Sequence, residues 1–395
     1  MAKTLTNDQY EALSRLQKWY RKYNHQFIDI AGVIGTGSWD LIQKFIDLEE
    51  LDMREVMYLS HDQKQVLELA FKRYHAYYIN GIIYNYTRLV DFDTLPVINP
   101  NSDRVECEWK KSVRKKVDPR YKLIVVFDSI LMTKNMIEDL SSFGLPVILL
   151  RDPMLLPAPD TYTFTREPNI VLREPHVDYL KNPIIYFAHK VLTGGKISPG
   201  NYDNVSVIPR KQMNLYNLKS SDMTITVSGE IRDQINMIYR EKILRQRGIT
   251  NIPGEKVIVM ENMYGHRLTN HEEKNIKVYL TKGVVGYLDK INRHLPGTKY
   301  VPVDFRPEFY HEAFTDLSID RHYLNDIDLK SRQVIPDDIL KAEYAYALTV
   351  PMARLSHWDK VTLVVDPNEM ADIGVQKRML YSAISRARKS LTILI

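Results

Sequence analysis

Cysteine is nearly missing from this chain. The single residue Cys107 among 395 excludes an internal disulfide framework and a zinc site built from cysteines, and it suits a reducing compartment. Long apolar runs are missing too, so no segment is expected to span a bilayer. The opening MAKTLTNDQYEALSRL lacks the apolar core of a secretory signal, which leads to the expectation of a soluble, cytoplasmic protein with no membrane partner. The eleven histidines show no H-E-x-x-H or paired-ligand spacing, so no metal site is expected. Internal repeats, low-complexity tracts and long flexible linkers are also lacking. A strong charge excess is absent: the net charge of +5 does not by itself argue for nucleic acid. What remains is 44% hydrophobic and 26% charged residues over a length sufficient for two or three domains, each with its own core.

The most specific local feature is IDIAGVIGTGSW, residues 28–39, an apolar strand that runs into a glycine-rich loop. A phosphate-binding P-loop requires G-x-x-x-x-G-K-[ST], with Lys on the β- and γ-phosphates and a hydroxyl on Mg²⁺. Gly32, Gly35, Thr36 and Gly37 supply the loop, but Ser38 and Trp39 stand where Lys and Thr belong. A dinucleotide loop, G-x-G-x-x-G, fits worse, because Gly35-x-Gly37 places Asp40 at the third glycine and no acidic residue closes a strand about 20 residues on.

Around this loop the chain reads as α/β. NDQYEALSRLQKWYRKY carries apolar residues at helical spacing, and Leu41, Ile42, Phe45 and Ile46 mark an amphipathic helix after the loop. REVMYLS, YKLIVVFD and GLPVILLRD read as buried parallel strands, each ending in a polar residue where ligand sites of open sheets gather. A second α/β set begins near residue 183 and closes with VTLVVD and SLTILI. Between its halves, GEKVIVMEN, KVYLTKGVVGYLDKI and TKYVPVDFRP alternate like strands of a small inserted β-barrel. WKKSVRKKVDPRYK clusters Lys110, Lys111, Arg114, Lys115, Lys116, Arg120 and Lys122 beside Trp109. Such a patch suits a phosphate backbone with a stacked base, but taken alone it reads first as a solvated charged loop or hairpin.

Taken in order, these segments resemble the superfamily 1 DNA helicases of the RecD/Dda branch. LTNDQYEAL is similar to the family's adenine-reading motif, with Gln9 at its glutamine, and IAGVIGTGSW stands in the place of its GxxGTGKT loop. VMYLSHDQKQVLEL resembles the strand and helix that touch single-stranded DNA. LIVVFDS, VILLRDPMLLPAP, ITVSGEIRDQINMIYREKI, AYALTVPMARLSHWDKVTLVVD and LYSAISRARKSLTIL follow the later motifs. The resemblance implies two RecA-like parallel-sheet motor domains, residues 1–175 and residues 176–253 with 336–395. It also implies a small β insertion at about 88–120 in the first domain and an SH3-like barrel, 254–335, in the second.

The departures from the family pattern share one theme. Ser38 and Trp39 replace the loop Lys and Thr, Ser129 replaces the catalytic Glu after Asp128, and Leu155 replaces the γ-phosphate-sensing Gln. Gln9, the loop glycines, Asp128, Arg232 and Arg386 survive as nucleotide-binding remnants; the two arginines serve either as arginine fingers or as structural ion-pair partners. Phosphoryl transfer rests on positioning and charge neutralisation. Loss of one such donor costs on the order of 2.7–4 kcal/mol, a rate loss of roughly a hundred- to a thousandfold. The expectation is therefore a pseudo-helicase with no intact catalytic residue and no required cofactor, ATP and Mg²⁺ being bound only weakly or vestigially. Trp39 is expected to lay its indole where phosphate and metal would sit.

For nucleic acid, the resemblance carries contacts to Ser60, His61, Pro157 and Thr349, and Arg354 adds a charge in the fifth motif. The implied partners are single-stranded DNA and a replication or recombination protein. Dda-type members are often viral, which implies a phage origin and the host cytoplasm. An active 5′-to-3′ helicase with an aberrant loop and a pure protein-interaction module are the competing readings.

Overall fold

The computed structural model describes residues 5–22, 27–89, 108–114, 116–157, 166–176, 181–246, 253–263, 267–270, 276–291, 300–320, 339–354, 356–365 and 373–395. The chain divides into two compact units: Met1–Ile83, Val113–Ser228 and Thr349–Ile395 form the first, and Tyr84–Ser112 with Gly229–Leu348 form the second.

Helix α1 (Asn7–Arg21) starts after Thr6, whose N–H donates to Gln9 Oε1 at 2.9 Å. It buries Ala12, Leu13 and Leu16 on one face. Strand β1 (Ile28–Gly32) leads through the glycine loop into helix α2 (Ser38–Leu48), which buries Leu41, Ile42, Phe45 and Ile46, as their spacing predicts. Strand β2 (Val56–Ser60), helix α3 (Gln63–Phe71) and strand β3 (His75–Tyr78) follow. The chain then enters the second unit through β4 (Tyr84–Leu89) and β5 (Glu108–Val113), which pair with each other, and returns to β6 (Leu123–Val126), helix α4 (Lys134–Ser141), β7 (Val147–Arg151) and β8 (Ile170–Leu172).

The first sheet has the order β3-β2-β6-β7-β1-β8, and its strands pair in parallel. Strands β2, β6 and β7 are buried along their whole length, which explains their unbroken apolar runs. β1 lies between β7 and β8, whereas the next strand in sequence, β2, is three positions away. The glycine loop therefore leaves the sheet where the strand order switches, the place at which open α/β sheets gather ligands. Within this sheet Asp29 of β1 pairs with Arg151 of β7 at 3.2 Å, both buried. Burial pushes the Asp29 carboxyl up to about 6 against the opposing pull of Arg151 and Arg166.

The second sheet of the same unit begins after helix α5 (Pro183–Leu192), with β9 (Gly200–Tyr202), β10 (Val205–Ile208), helix α6 (Leu215–Ser220) and β11 (Met223–Thr226). It is completed from the C-terminal segment by β20 and β21, so that β11-β20-β21-β10 runs parallel and β9 closes one edge antiparallel. Two RecA-like parallel sheets thus share one compact unit.

The second unit holds helix α7 (Gly229–Ile238), β12 (Glu255–Val259), a β13 (Arg267–Asn270) and β14 (Ile276–Tyr279) pair, β15 (Val285–Ile291), β16 (Tyr300–Pro307), β17 (Phe314–Asp320), β18 (Ala342–Tyr344) and β19 (Ala347–Thr349). Where an SH3-like barrel is expected, the described residues form a five-stranded antiparallel sheet, β17-β16-β15-β12-β18. Arg240 and Glu255 are buried against each other at 2.6 Å, with Tyr344 stacked on the guanidinium, so this unit's core contains a paired charge. Helix α8 (Val350–Ala353), β20 (Trp358–Val364), helix α9 (Ile373–Ile384) and β21 (Ala387–Leu394) return the chain to the first unit.

Candidate nucleotide and nucleic-acid site

The glycine loop turns on two residues of positive φ, Gly35 at 91° and Gly37 at 68°, a conformation that L side chains rarely adopt. Thr36 is buried and donates its hydroxyl to the Val33 carbonyl at 2.8 Å, and a Cβ on Gly32 would meet that oxygen at 2.5 Å. The loop has the backbone of a phosphate cradle, and α2 begins directly behind it.

Its carbonyls from Ile34 to Gly37 and the Ile34 N–H, however, are bonded within the chain itself. Gln9 is buried, and its amide donates to the carbonyls of Thr36 at 2.8 Å and Gly37 at 3.2 Å while its oxygen caps α1. These bonds tie the first helix to the loop. His176 N–H donates to the Gly35 carbonyl at 2.8 Å, and His189 Nε2 donates to the Ile34 carbonyl at 2.6 Å. The Ile34 N–H reaches the Tyr381 hydroxyl at 2.8 Å and Asp152 Oδ2 at 3.2 Å, and Tyr381 in turn donates to Asp152. Burial pushes the Asp152 carboxyl up to about 6 and the Tyr381 hydroxyl well above its ordinary value.

Trp39 sits in an aromatic cluster. Its ring packs against Tyr58 at 5.7 Å, Tyr74 at 5.4 Å and Phe127 at 5.6 Å, a four-ring cluster on the edge of the core. The three rings supply apolar contact and favourable edge geometry to the indole. Ser38 opens α2 half-exposed beside it.

Asp128, Leu155, Arg354 and Arg386 come together. With Ile130, Leu131, Leu156 and Ser382 they line one small cavity. Asp128 sits at φ 50° at the end of β6, and burial raises its carboxyl while Arg386 opposes the shift. Ser129 is fully buried and is not among the residues that line this cavity. Arg386 donates to the carbonyls of Arg354 at 3.0 Å and Ser356 at 3.4 Å and to the Ser385 hydroxyl at 3.0 Å. Arg232 lies in the other unit, bonded to Asp233 and, at 2.8 Å, to Glu343, which is the ion-pair alternative for that residue. At the start of α2 the Trp39 side chain offers no oxygen, and the positions after Gly37 and Asp128 hold Ser38 and Ser129.

The nucleic-acid candidates scatter. Ser60 is buried, donating to Gln65 Oε1 at 2.7 Å and accepting the Asp62 N–H at 3.0 Å, so it holds the start of α3 and has no surface for a strand. His61 buries its Nε2 without a partner, and burial drives its pKa down to about 4, leaving it uncharged at neutral pH. Pro157 gives its carbonyl to Arg354 at 3.3 Å, and Thr349 precedes α8 half-exposed. Burial lowers the Arg354 pKa. Lys111 is exposed, with its ammonium 3.5 Å from the Tyr84 ring centre. Lys116 is exposed and Arg114 half-buried. Lys115 and Cys107 lie outside the described residues, as do the side chains of Trp109 and Lys110.

The sequence reading missed Asp152, Tyr381, His189 and His357. The signal available was the spacing of Arg378, Tyr381 and Ser382, which share one helical face. Among the described residues, no group of three His, Cys, Asp or Glu side chains is placed to hold a metal ion, and no helix is long and apolar enough to cross a membrane.

No protein-family model matches the sequence, and no curated protein does either. Among solved structures, the Pif1 helicase of Candida albicans is similar at 12% identity and TM-score 0.42, covering 99% of this chain and 95% of that one. The Bacteroides Pif1 helicase in complex with ADP-AlF3 and single-stranded DNA is similar at 11% identity and TM-score 0.47, covering 99% and 92%. The arterivirus nonstructural protein 10 helicase reaches 10% identity and TM-score 0.35, covering 93% and 59%. These likenesses decide neither family nor activity.

Proposed function

We propose that this chain is a helicase-fold protein of the superfamily 1 type that binds single-stranded nucleic acid without a competent ATPase: a pseudo-helicase serving a replication or recombination partner. The observation that carries the reading is the cavity that brings Asp128, Leu155, Arg354 and Arg386 together, in a chain whose glycine loop is followed by Ser38 and Trp39. By the resemblance, the residues that would hold metal, γ-phosphate and attacking water are replaced by Trp39, Leu155 and Ser129. Such groups act as a unit, so the survivors do not compensate for those lost. Binding to nucleic acid would draw on Lys111 and Lys116, exposed cations suited to a phosphate backbone.

An ATPase assay with single-stranded DNA present tests the first half. No turnover above background is expected, and turnover that an Asp128→Ala variant abolishes would sink the proposal. That second outcome is the active-helicase reading, favoured by Asp128 and Arg386 still facing one cavity. Titration of a labelled oligonucleotide at two salt concentrations tests the other half. Binding that weakens steeply with salt is expected, and no binding at low salt points to a pure protein-interaction module.

A further inference from the structure

The glycine loop of a P-loop motor is free to receive phosphate, and nucleotide then closes one sheet on the other. Here the corresponding loop is already bonded to the second sheet's elements. Ile34, at the loop's apex, gives its N–H to Tyr381 of α9 and its carbonyl to His189 of α5. The Asp152 carboxylate, in the loop after β7, takes both the Tyr381 hydroxyl and the Ile34 N–H, so an internal anion occupies a loop amide.

One face of α9 extends the contact. Arg378 donates to the Pro153 carbonyl at 2.7 Å, and the Ser382 hydroxyl accepts the Leu156 N–H at 2.9 Å. These residues with Tyr381 fall at i, i+3 and i+4, so a single helical stripe grips residues 152–156. Tyr381 and Ser382 are buried, which shields these bonds from competing water. A ligand can shift such a closed state only through differential affinity for open and closed forms, and the loop's bonds to Tyr381 and His189 already favour the closed one.

We infer that Ile34, Asp152, Tyr381 and His189 form a clasp that holds the two sheets of this unit closed without nucleotide. The clasp replaces the phosphate-driven closure of a motor with protein–protein hydrogen bonds. It goes beyond the proposed function, since a closed unit is compatible with any partner.

The test is a distance measurement on the full chain with Cys107→Ser, carrying spin labels at Lys44→Cys on α2 and Tyr216→Cys on α6, both exposed positions. Without nucleotide a single narrow distance distribution is expected, unchanged by ATP and Mg²⁺. A broad distribution in the nucleotide-free protein, or one that narrows on adding ATP, overturns the inference. Adding Tyr381→Phe with His189→Ala should broaden the distribution, and an unchanged distribution in a folded double variant also overturns it. Hydrogen exchange at the Ile34 amide gives an independent reading: roughly tenfold faster exchange is expected in Tyr381→Phe, the size of one net hydrogen bond, and equal rates count against the clasp. ATP turnover in the wild type would sink the proposed function alone, whereas a broad nucleotide-free distribution would sink the clasp alone.

Discussion

Gln9 shows how a residue that resembles a ligand reader becomes a structural tie. Its amide holds two loop carbonyls and its oxygen holds the Thr6 N–H. Gln9→Ala would leave those groups short of partners in a buried site, at about 1–3 kcal/mol. A lower Tm with no change in nucleotide affinity is expected, measured by thermal unfolding and by titration with ATP. Asp152 makes a pH prediction. Burial raises its folded pKa to about 6, above the unfolded value, so the folded state binds the extra proton and this group's contribution to stability falls as pH rises towards 6. Asp152→Asn cannot ionise. The Tm of the wild type relative to Asp152→Asn should therefore decline between about pH 4 and pH 6 and level off above. A constant difference across that range counts against the assignment.

The start of α2 shows what a short element needs from its surroundings. The loop glycines supply the turn, while Trp39 belongs to the ring cluster with Tyr58, Tyr74 and Phe127. Trp39→Ala should cost on the order of 2–3 kcal/mol, below a fully buried aromatic because the ring is only half-buried. Reverting the motif with Ser38→Lys and Trp39→Thr should lower Tm and restore no ATPase turnover, because Ser129 and Leu155 remain and Asp152 still holds the loop. Robust turnover in that double variant would show that the loop substitutions alone silence the site. The elements themselves were legible: α1, α2 and the buried parallel strands follow from apolar spacing, since burial on one or two faces leaves a period in the sequence. The grip of α9 on residues 152–156 was not, because side-chain hydrogen bonds between distant segments leave no such period.

Across the first unit, a second polar network joins α3 to the second sheet. His357 Nδ1 meets Asp62 at 2.9 Å, His357 Nε2 lies 3.4 Å from Glu68, Arg388 grips Glu68 with two bonds at 2.6 and 2.7 Å, and Lys64 donates to the His357 carbonyl at 2.8 Å. Against desolvation, which would push it up, hydrogen bonds from His357 and Arg388 hold Glu68 down at about 2. Against desolvation, which would lower it, bonds to Asp62 and Glu68 raise His357. The depressed Glu68 contributes stability above its ordinary pKa that is lost as pH falls, and the raised His357 contributes stability below its ordinary pKa that is lost as pH rises. The network is therefore strongest between about pH 4.5 and 6.5. His357→Ala should lower Tm most within that window, and a deficit that grows above pH 8 would contradict it.

By itself the sequence determined the two parallel-sheet sets and the glycine loop, because strand burial and turn chemistry are written locally. Its glycine loop looked like an empty phosphate cradle. Only the tertiary structure decided what fills that loop's hydrogen bonds: Gln9, Asp152, His189 and Tyr381 come from four distant stretches, and nothing but packing brings them to Ile34 and Gly37. The same packing set Trp39 against three rings at the core's edge and buried Ser60, because desolvation and ring contact, which set those positions, depend on neighbours that the sequence does not place.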